Sequence, residues 1–252
     1  SKVQMLSLVK EKSRGGDITD ENLKELSASA ISDVSIDSDT LESATNALSV
    51  LKNAGLRRLF LGLESGSESQ LLRYRKGVTA AEGAKAVEVC RSVGLEVENG
   101  MIPLDPVVTM DELKETVAYI KKNDLARSTV KILNVMCVQK GIAAFAPIEK
   151  AGLLTGDRDI DTFLYPFRFK DSRVREISKW IDKWHKSGTN EFTYALRRLV
   201  DAEPFNPKTT PVLVEIRNME FEFLEKLIGA KDNGKDEEIF DQFMKMRFDI
   251  IQ

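Results

Sequence analysis

The sequence is poor in the residues that build metal and redox sites. Two cysteines, Cys90 and Cys137, occur among 252 residues, and His185 is the single histidine. Iron–sulfur clusters are held by several cysteine thiolates, and structural zinc by sets of cysteine and histidine. We therefore predict that this chain ligates no metal on its own. The two cysteines do not suggest a disulfide framework either, so we expect a reducing cytoplasm.

A strong charge imbalance and long apolar runs are also absent. The formal net charge is -3, whereas general nucleic-acid-binding domains are usually basic. No apolar run approaches membrane-spanning length, and no secretory signal, phosphate loop or GxGxxG fingerprint is visible. We expect neither nucleic acid nor a membrane as a partner, and a small-molecule substrate instead.

The most informative stretch, 51–77, joins a helix end, a strand and a new helix. Gly55 is a typical helix C-terminal signal. The apolar run 59–63 predicts a parallel strand covered on both faces. Small and charged residues begin at Glu64 and Ser65. Because ligands bind at the carboxyl ends of strands in α/β sheets, Glu64 is the first candidate site residue.

Similar strand and helix patterns precede and follow this unit. Apolar periodicity predicts strands near 26–30, over 95–102 and over 130–137. Helices are predicted over 1–14, 37–53, 110–122 and 142–151, with a further helix capped by Thr79 and a capping box formed by Thr109 and Glu112. Alternation of strand and helix favours a parallel sheet with right-handed crossovers.

The pattern changes after residue 156. A helical pattern begins at Asp171, and further helical runs cover 212–228 and 237–251. Trp180 and Trp184 are four residues apart on one helix face, which indicates core packing rather than ligand stacking. We divide the chain into a partial (β/α) barrel, residues 1–156, and a helical extension, residues 157–252.

Three segments resemble radical S-adenosylmethionine enzymes, and most closely the subgroup that often carries a cobalamin-binding domain. AGLRRLFLGLESGS with LLRYRKGVT resembles the fourth strand and following helix of these enzymes. GLEVENGMIPLDPVVTMDELKETVAYIKK is similar to the fifth strand and helix, and KILNVMCVQKGIAAFAPIEKAGLL resembles the sixth. The resemblance implies a partial TIM-like barrel, with parallel strands inside and helices outside, that binds S-adenosylmethionine at the strand ends.

The resemblance also implies roles for individual residues. Glu64 and Ser65 would contact the ribose or methionyl part of S-adenosylmethionine. Lys76, or Arg75 in its place, would bind the methionyl carboxylate, although a solvated surface charge is the alternative for both. The adenine would lie against backbone and apolar groups of the fifth and sixth strands, at Met101, Ile102 and Val135. In this region MIPLDP replaces the family's more glycine-rich strand ending.

Strand alternation predicts which side chains share a face. If Glu64 points into a barrel, Phe60 and Gly62 share its face, and the leucines between them face the helices. On the next strand Glu96 and Glu98 would point inward. The alternative for these two acids is the solvated start of their strand.

The CxxxCxxC loop that defines the family is absent from the sequence. Reductive cleavage of the sulfonium needs an iron–sulfur cluster, which this chain does not ligate. We expect S-adenosylmethionine binding and, if the chain is catalytic in this form, polar transfer or elimination. The alternatives are a non-catalytic scaffold subunit, or a fragment or one chain of a split [4Fe-4S] radical enzyme. An open sheet of about four strands also has exposed edges, so we expect a homodimer through a sheet edge or a helix that masks it.

Overall fold

The computed structural model describes residues 38–188, 190–203, 205–230 and 235–251. The helix predicted over 1–14 and the strand predicted near 26–30 lie outside these ranges. The elements in chain order are α1 (Ser38–Asn53), β1 (Arg58–Glu64), α2 (Glu68–Arg73), α3 (Ala80–Ser92), β2 (Glu96–Met101), α4 (Met110–Lys122), a short 3-10 helix (Ala126–Ser128), α5 (Phe145–Lys150), α6 (Ser172–His185), α7 (Asn190–Ala202), α8 (Thr210–Gly229) and α9 (Lys235–Ile251). No helix in these ranges is both long and apolar enough to cross a membrane.

The strands β1 and β2 form a parallel two-stranded sheet. Pairing runs in register from Arg58 opposite Glu96 to Gly62 opposite Gly100, after which a bulge shifts the register. The leucines of β1 pack into the apolar core that α3 also contributes to, as strand alternation predicts. Phe60, on the opposite face, is 59% exposed.

The strand predicted over 130–137 is not formed among the described residues, and that prediction is wrong in its extent. Only two isolated parallel bridges remain there, Thr129 with Asn99 and Val135 with Leu104. On the partner segment, Pro103 lies between the two bridged residues Asn99 and Leu104 and has no backbone N–H to donate. The side chain of Asn134 donates to the carbonyl of Met101 at 3.0 Å, where a ladder would use backbone donors.

The helix starts follow the capping signals in the sequence. The predicted capping box from Thr109 to Glu112 is present before α4, and the predicted cap Thr79 forms a second capping box with Glu82 before α3. The Asp171 carboxylate accepts two backbone N–H groups at the start of α6. The helix predicted over 142–151 is shorter, and α7 was not predicted.

One apolar core joins the sheet and the C-terminal helices. It includes Leu63 of β1 and Leu224 of α8. Trp184 is fully buried and stacks on Phe223 with ring centroids 4.7 Å apart, which confirms its predicted core role. Because residues from both proposed domains share this core, the boundary at residue 156 stays a prediction.

A cluster of charges fastens β2 to the C-terminal helices. Glu98 is 7% exposed. Its two oxygens accept from Arg217 of α8 at 2.8 Å and from Arg197 of α7 at 3.1 Å. Arg58 of β1 lies 3.9 Å from the same carboxylate and bonds Glu96 at 2.7 Å. Glu98 is therefore buried and paired, whereas Glu96 is partly exposed.

Removing the Glu98 carboxylate is expected to destabilise the fold strongly. Glu98→Ala leaves Arg217 buried without its partner, which costs about 3–5 kcal/mol. Chemical denaturation measures the change in the free energy of unfolding. The matched control is Glu88→Ala, because the Glu88 carboxylate is 68% exposed on α3 and its loss should cost about 0.5 kcal/mol or less. Equal losses in the two variants would contradict the buried pairing.

Candidate functional site

An open cleft with a volume of about 310 Å³ lies at the carboxyl ends of β1 and β2, beside the segment 134–137. It is lined by Glu64, Tyr74, Lys76, Ile102, Asn134, Val135, Met136, Cys137, Ile142, Ala143 and Ala144. The structure thus brings together four of the site residues predicted from the sequence. Their role in binding stays a prediction.

The other predicted residues lie away from the cleft wall. Ser65 is buried, and its hydroxyl contacts Gln70 and Thr116 under α2. Met101 is buried in the apolar core. Arg75, the alternative to Lys76, is exposed and does not line the cleft.

An ion pair lies at the polar end of the cleft. The Lys76 ammonium is 2.7 Å from Oε1 of Glu64, and the two side chains are 32% and 19% exposed. The Glu64 carboxylate folds back over Gly62, where an added Cβ would lie 2.9 Å from Oε1. Glycine at position 62 therefore leaves room for the carboxylate. Glu64 and Gly62 share a face, as strand alternation predicts.

The backbone at Glu64 is strained. Its φ is 65°, in the left-handed region, and it lies at the bulge of β1. The N–H of Ser65 donates to the carbonyl of Leu63 at 2.8 Å, which closes a three-residue γ-turn around Glu64. Turns of this kind are rare, and non-glycine residues held in them concentrate at functional sites.

The chain returns to the strand tip after α2. Arg75 and Gly77 have φ of 54° and 67°, so left-handed residues flank Lys76 on both sides. The resulting bend carries the ammonium of Lys76 back to Glu64, twelve positions earlier in the sequence. Of these two left-handed positions, only residue 77 is a glycine, which adopts a positive φ without steric cost.

The rest of the cleft is largely apolar. Met136 and Ala144 of the lining belong with Phe145 to a second apolar cluster, and Ile102 and Ile142 pack against it. Asn134 is oriented by its bond to the Met101 carbonyl. The cleft therefore combines an apolar surface with a charged end.

A buried carboxylate behind the cleft was missed by sequence reasoning. Asp105 is fully buried. Its Oδ2 accepts from the Tyr74 hydroxyl at 2.8 Å, from Arg73 at 2.9 Å and from Gln70 at 3.0 Å. The only signal was an acid inside the MIPLDP segment, between two prolines.

Arg73 connects this carboxylate to α4. The guanidinium also donates to Glu112 at 3.0 Å, the acid that closes the capping box of α4. Although burial opposes its charge, Asp105 and Glu112 raise the pKa of Arg73. Burial and then Asp105 raise the pKa of Tyr74, so its hydroxyl keeps its proton. For Glu112 burial favours the neutral acid, but Arg73 outweighs it and lowers the pKa.

The cysteines do not fit an iron–sulfur cluster. Cys90 is buried in α3, and Cys137 is exposed at the cleft. Within the described ranges no three histidine, cysteine, aspartate or glutamate side chains meet as metal ligands.

The lowered pKa of Glu112 predicts an acid-dependent contribution to stability. The carboxylate stabilises the fold above its ordinary pKa of 4.5, and this contribution is lost as the pH falls through the lowered pKa of the folded protein. The difference in unfolding free energy between wild type and Glu112→Gln should therefore shrink on acidification. Denaturation series between about pH 3 and pH 5 measure it. A difference that is flat over this range would contradict the pairing with Arg73.

Two curated proteins are similar to parts of the chain. The 4'-phospho-dehydrooxetanocin synthase of Priestia megaterium is 34% identical over 80 residues, which cover 31% of this chain and 11% of that protein. The bacteriochlorophyllide d C-8(2)-methyltransferase of Chlorobaculum tepidum is 30% identical over 107 residues, 42% of this chain and 23% of that protein. The match thus spans less than a quarter of either relative.

Solved structures give the likeness in fold. The cobalamin-dependent S-adenosylmethionine radical enzyme OxsB with aqua-cobalamin bound matches with a TM-score of 0.66 and 19% identity, over 87% of this chain and 36% of that one. The apo, selenomethionine-labelled OxsB matches with a TM-score of 0.65 over the same shares. No protein-family model matches the chain. The comparison with OxsB therefore confirms that this mixed α/β chain has the fold of part of a radical S-adenosylmethionine enzyme.

Proposed function

We propose that the chain binds S-adenosylmethionine, or a similar adenosyl ligand, in the cleft at the strand ends. The observation that carries the proposal is the ion pair of Glu64 and Lys76 at the charged end of an apolar cleft. The cleft volume of about 310 Å³ is at the lower end of the range for small-molecule sites, about 300–1,000 Å³. An open cleft of this size suits a ligand that is partly exposed when bound.

The two charges match the amino-acid part of the ligand. A ligand with one ammonium and one carboxylate can exchange partners with the pair, because Glu64 then accepts from the ammonium and Lys76 donates to the carboxylate. Each protein charge then keeps an opposite charge as its partner, so the exchange avoids the free-energy cost of an unpaired charge. The adenine would lie along Ile102 and Val135. Ser65 and Met101 would act only through their neighbours in the wall.

The reaction depends on what delivers electrons. If the chain acts in this form, polar chemistry such as sulfonium-based transfer or elimination is its proposed reaction, without a cluster ligated by its own two cysteines. The match to 36% of OxsB favours a second candidate, in which the chain is part of a longer or split radical enzyme and the [4Fe-4S] cluster is held outside these residues. A scaffold that binds no ligand is the remaining alternative.

We infer the same partial (β/α) barrel that the sequence resemblance implies. The parallel pairing of β1 and β2 and the bridges from Thr129 and Val135 support a third barrel position beside β2. Both cysteines are free thiols, which is compatible with the reducing cytoplasm that we propose as the location.

Calorimetric titration with S-adenosylmethionine and S-adenosylhomocysteine tests the binding. We expect both ligands to bind the wild type. Glu64→Gln and Lys76→Gln each remove one charge-assisted hydrogen bond, worth about 1.5–3 kcal/mol, so the affinity should fall roughly 10- to 100-fold. Lys85→Gln is the matched control, because it removes one member of an exposed pair with Glu88 on α3.

The outcomes separate the candidates. Binding without iron, weakened only in the two cleft variants, supports an adenosyl site of the chain itself. Binding that appears only after a cluster-bearing partner is added supports the radical-enzyme candidate, and an iron assay identifies that case. No binding under either condition leaves the scaffold and sinks the proposed site.

We also propose a homodimer through the outer edge of β1. Among the described residues β1 pairs only with β2, and such an edge is open to pairing with another chain. Light scattering should give about twice the chain mass of 28.3 kDa. Phe60→Lys, a charge added on the edge strand, should favour the monomer. A wild type that stays monomeric across the concentration range would refute the dimer.

A further inference from the structure

We propose that Asp105 is the positioning residue of the cleft. It holds Tyr74 and the last turn of α2, and through them the segment that carries Lys76 to Glu64. The ligand-binding readout of this inference rests on the proposed function, whereas its structural readout does not.

Both oxygens of the Asp105 carboxylate accept hydrogen bonds. Its Oδ1 accepts from the backbone N–H of Val107 at 2.8 Å, and its Oδ2 receives the side chains of Gln70, Arg73 and Tyr74. A fully buried carboxylate needs these donors because burying an unpaired charge is costly. The end of β2 is thereby tied to the last turn of α2.

Tyr74 transmits this constraint to the cleft. Its ring lines the cleft, and its hydroxyl donates to Asp105 and lies 3.2 Å from the carbonyl of Ile102, another lining residue. Gln70 donates to the same hydroxyl at 2.7 Å. The network therefore fixes the distance between the α2 side and the β2 side of the cleft.

The position of Lys76 follows from the position of the end of α2. Residues 75–77 are all exposed, and Arg75 and Gly77 bend the chain with positive φ. The backbone N–H groups of Arg75 and Lys76 donate to carbonyls of α2, at 3.0 and 3.2 Å, so the bend is attached to the end of this helix. That helix end is held to Asp105 by the side chains of Arg73 and Tyr74. If Asp105 no longer holds them, we expect the helix end to shift together with the bend and the ion pair to loosen.

The experiment compares Asp105→Asn and Tyr74→Phe with Asp236→Asn. Asp236 is 8% exposed and its carboxylate pairs with Arg173. Asp236→Asn therefore disrupts a comparable buried ion pair outside the cleft lining. The first readout is the rate of deuterium labelling of the backbone amides of Arg75 and Lys76, measured by hydrogen exchange. Both N–H groups donate to carbonyls of α2, so their labelling rate reports the attachment of the bend to the helix end. The second readout is the dissociation constant of S-adenosylmethionine by calorimetry.

We expect Asp105→Asn to raise the labelling rate at least threefold and to weaken ligand binding about tenfold, because the wall no longer holds its position. Tyr74→Phe should change both in the same direction by less, since the ring remains in place. Asp236→Asn should change neither, even if it lowers the midpoint of thermal unfolding.

The results distinguish this inference from the proposed function. A wild type that binds no ligand, together with faster labelling in Asp105→Asn and Tyr74→Phe alone, would keep Asp105 as the positioning residue and remove the ligand. Labelling and affinity that match Asp236→Asn would overturn the positioning role. If Asp105→Asn does not fold, Tyr74→Phe decides, and unchanged labelling in that variant overturns the inference.

Discussion

The buried carboxylate of Asp105 is the constraint from which much of the candidate site follows. A charge without access to water needs donors from the protein, and three side-chain donors come from α2 and the residue that follows it. Arg73 carries a second acid, Glu112, into the same network, so the start of α4 is drawn to the same place. The hydrogen bonds that one buried carboxylate requires therefore help to position two helices at the end of β2. The apolar core alone would specify their position less tightly.

A second buried acid plays the corresponding part on the other side of β2. Glu98 gathers arginines from α7, α8 and β1, while the leucines of β1 face an apolar core. The two acids lie seven residues apart in sequence, one within the strand and one beyond its end. Within the part of the chain that the structure describes, the sheet has two paired strands and therefore few ladder hydrogen bonds of its own. The ion pairs of these two acids help to fix the position of the sheet relative to the helices, a role that additional strands play in a wider sheet.

Local signals in the sequence predicted local structure well. The apolar run of β1, the cap of α3, the capping box of α4 and the start of α6 at Asp171 were readable because each depends on residues a few positions apart. The interrupted strand after residue 129 was not, because the cause, Pro103, lies on the neighbouring segment. Asp105 was missed for the same reason, since its side-chain donors are more than thirty residues away. In α7 the apolar stripe of Phe192, Leu196 and Val200 was present in the sequence but was not used.

The left-handed backbone at Glu64 sets the stability of the strand end against the charge of the cleft. Glycine at that position would adopt the same φ of 65° without steric cost, and would remove the carboxylate that faces Lys76. Selection for a more stable strand end and selection for a charged cleft thus favour different residues at one position. Strained non-glycine residues concentrate at functional sites, where proteins give up some stability for a particular side chain. The glutamate at position 64 fits that pattern.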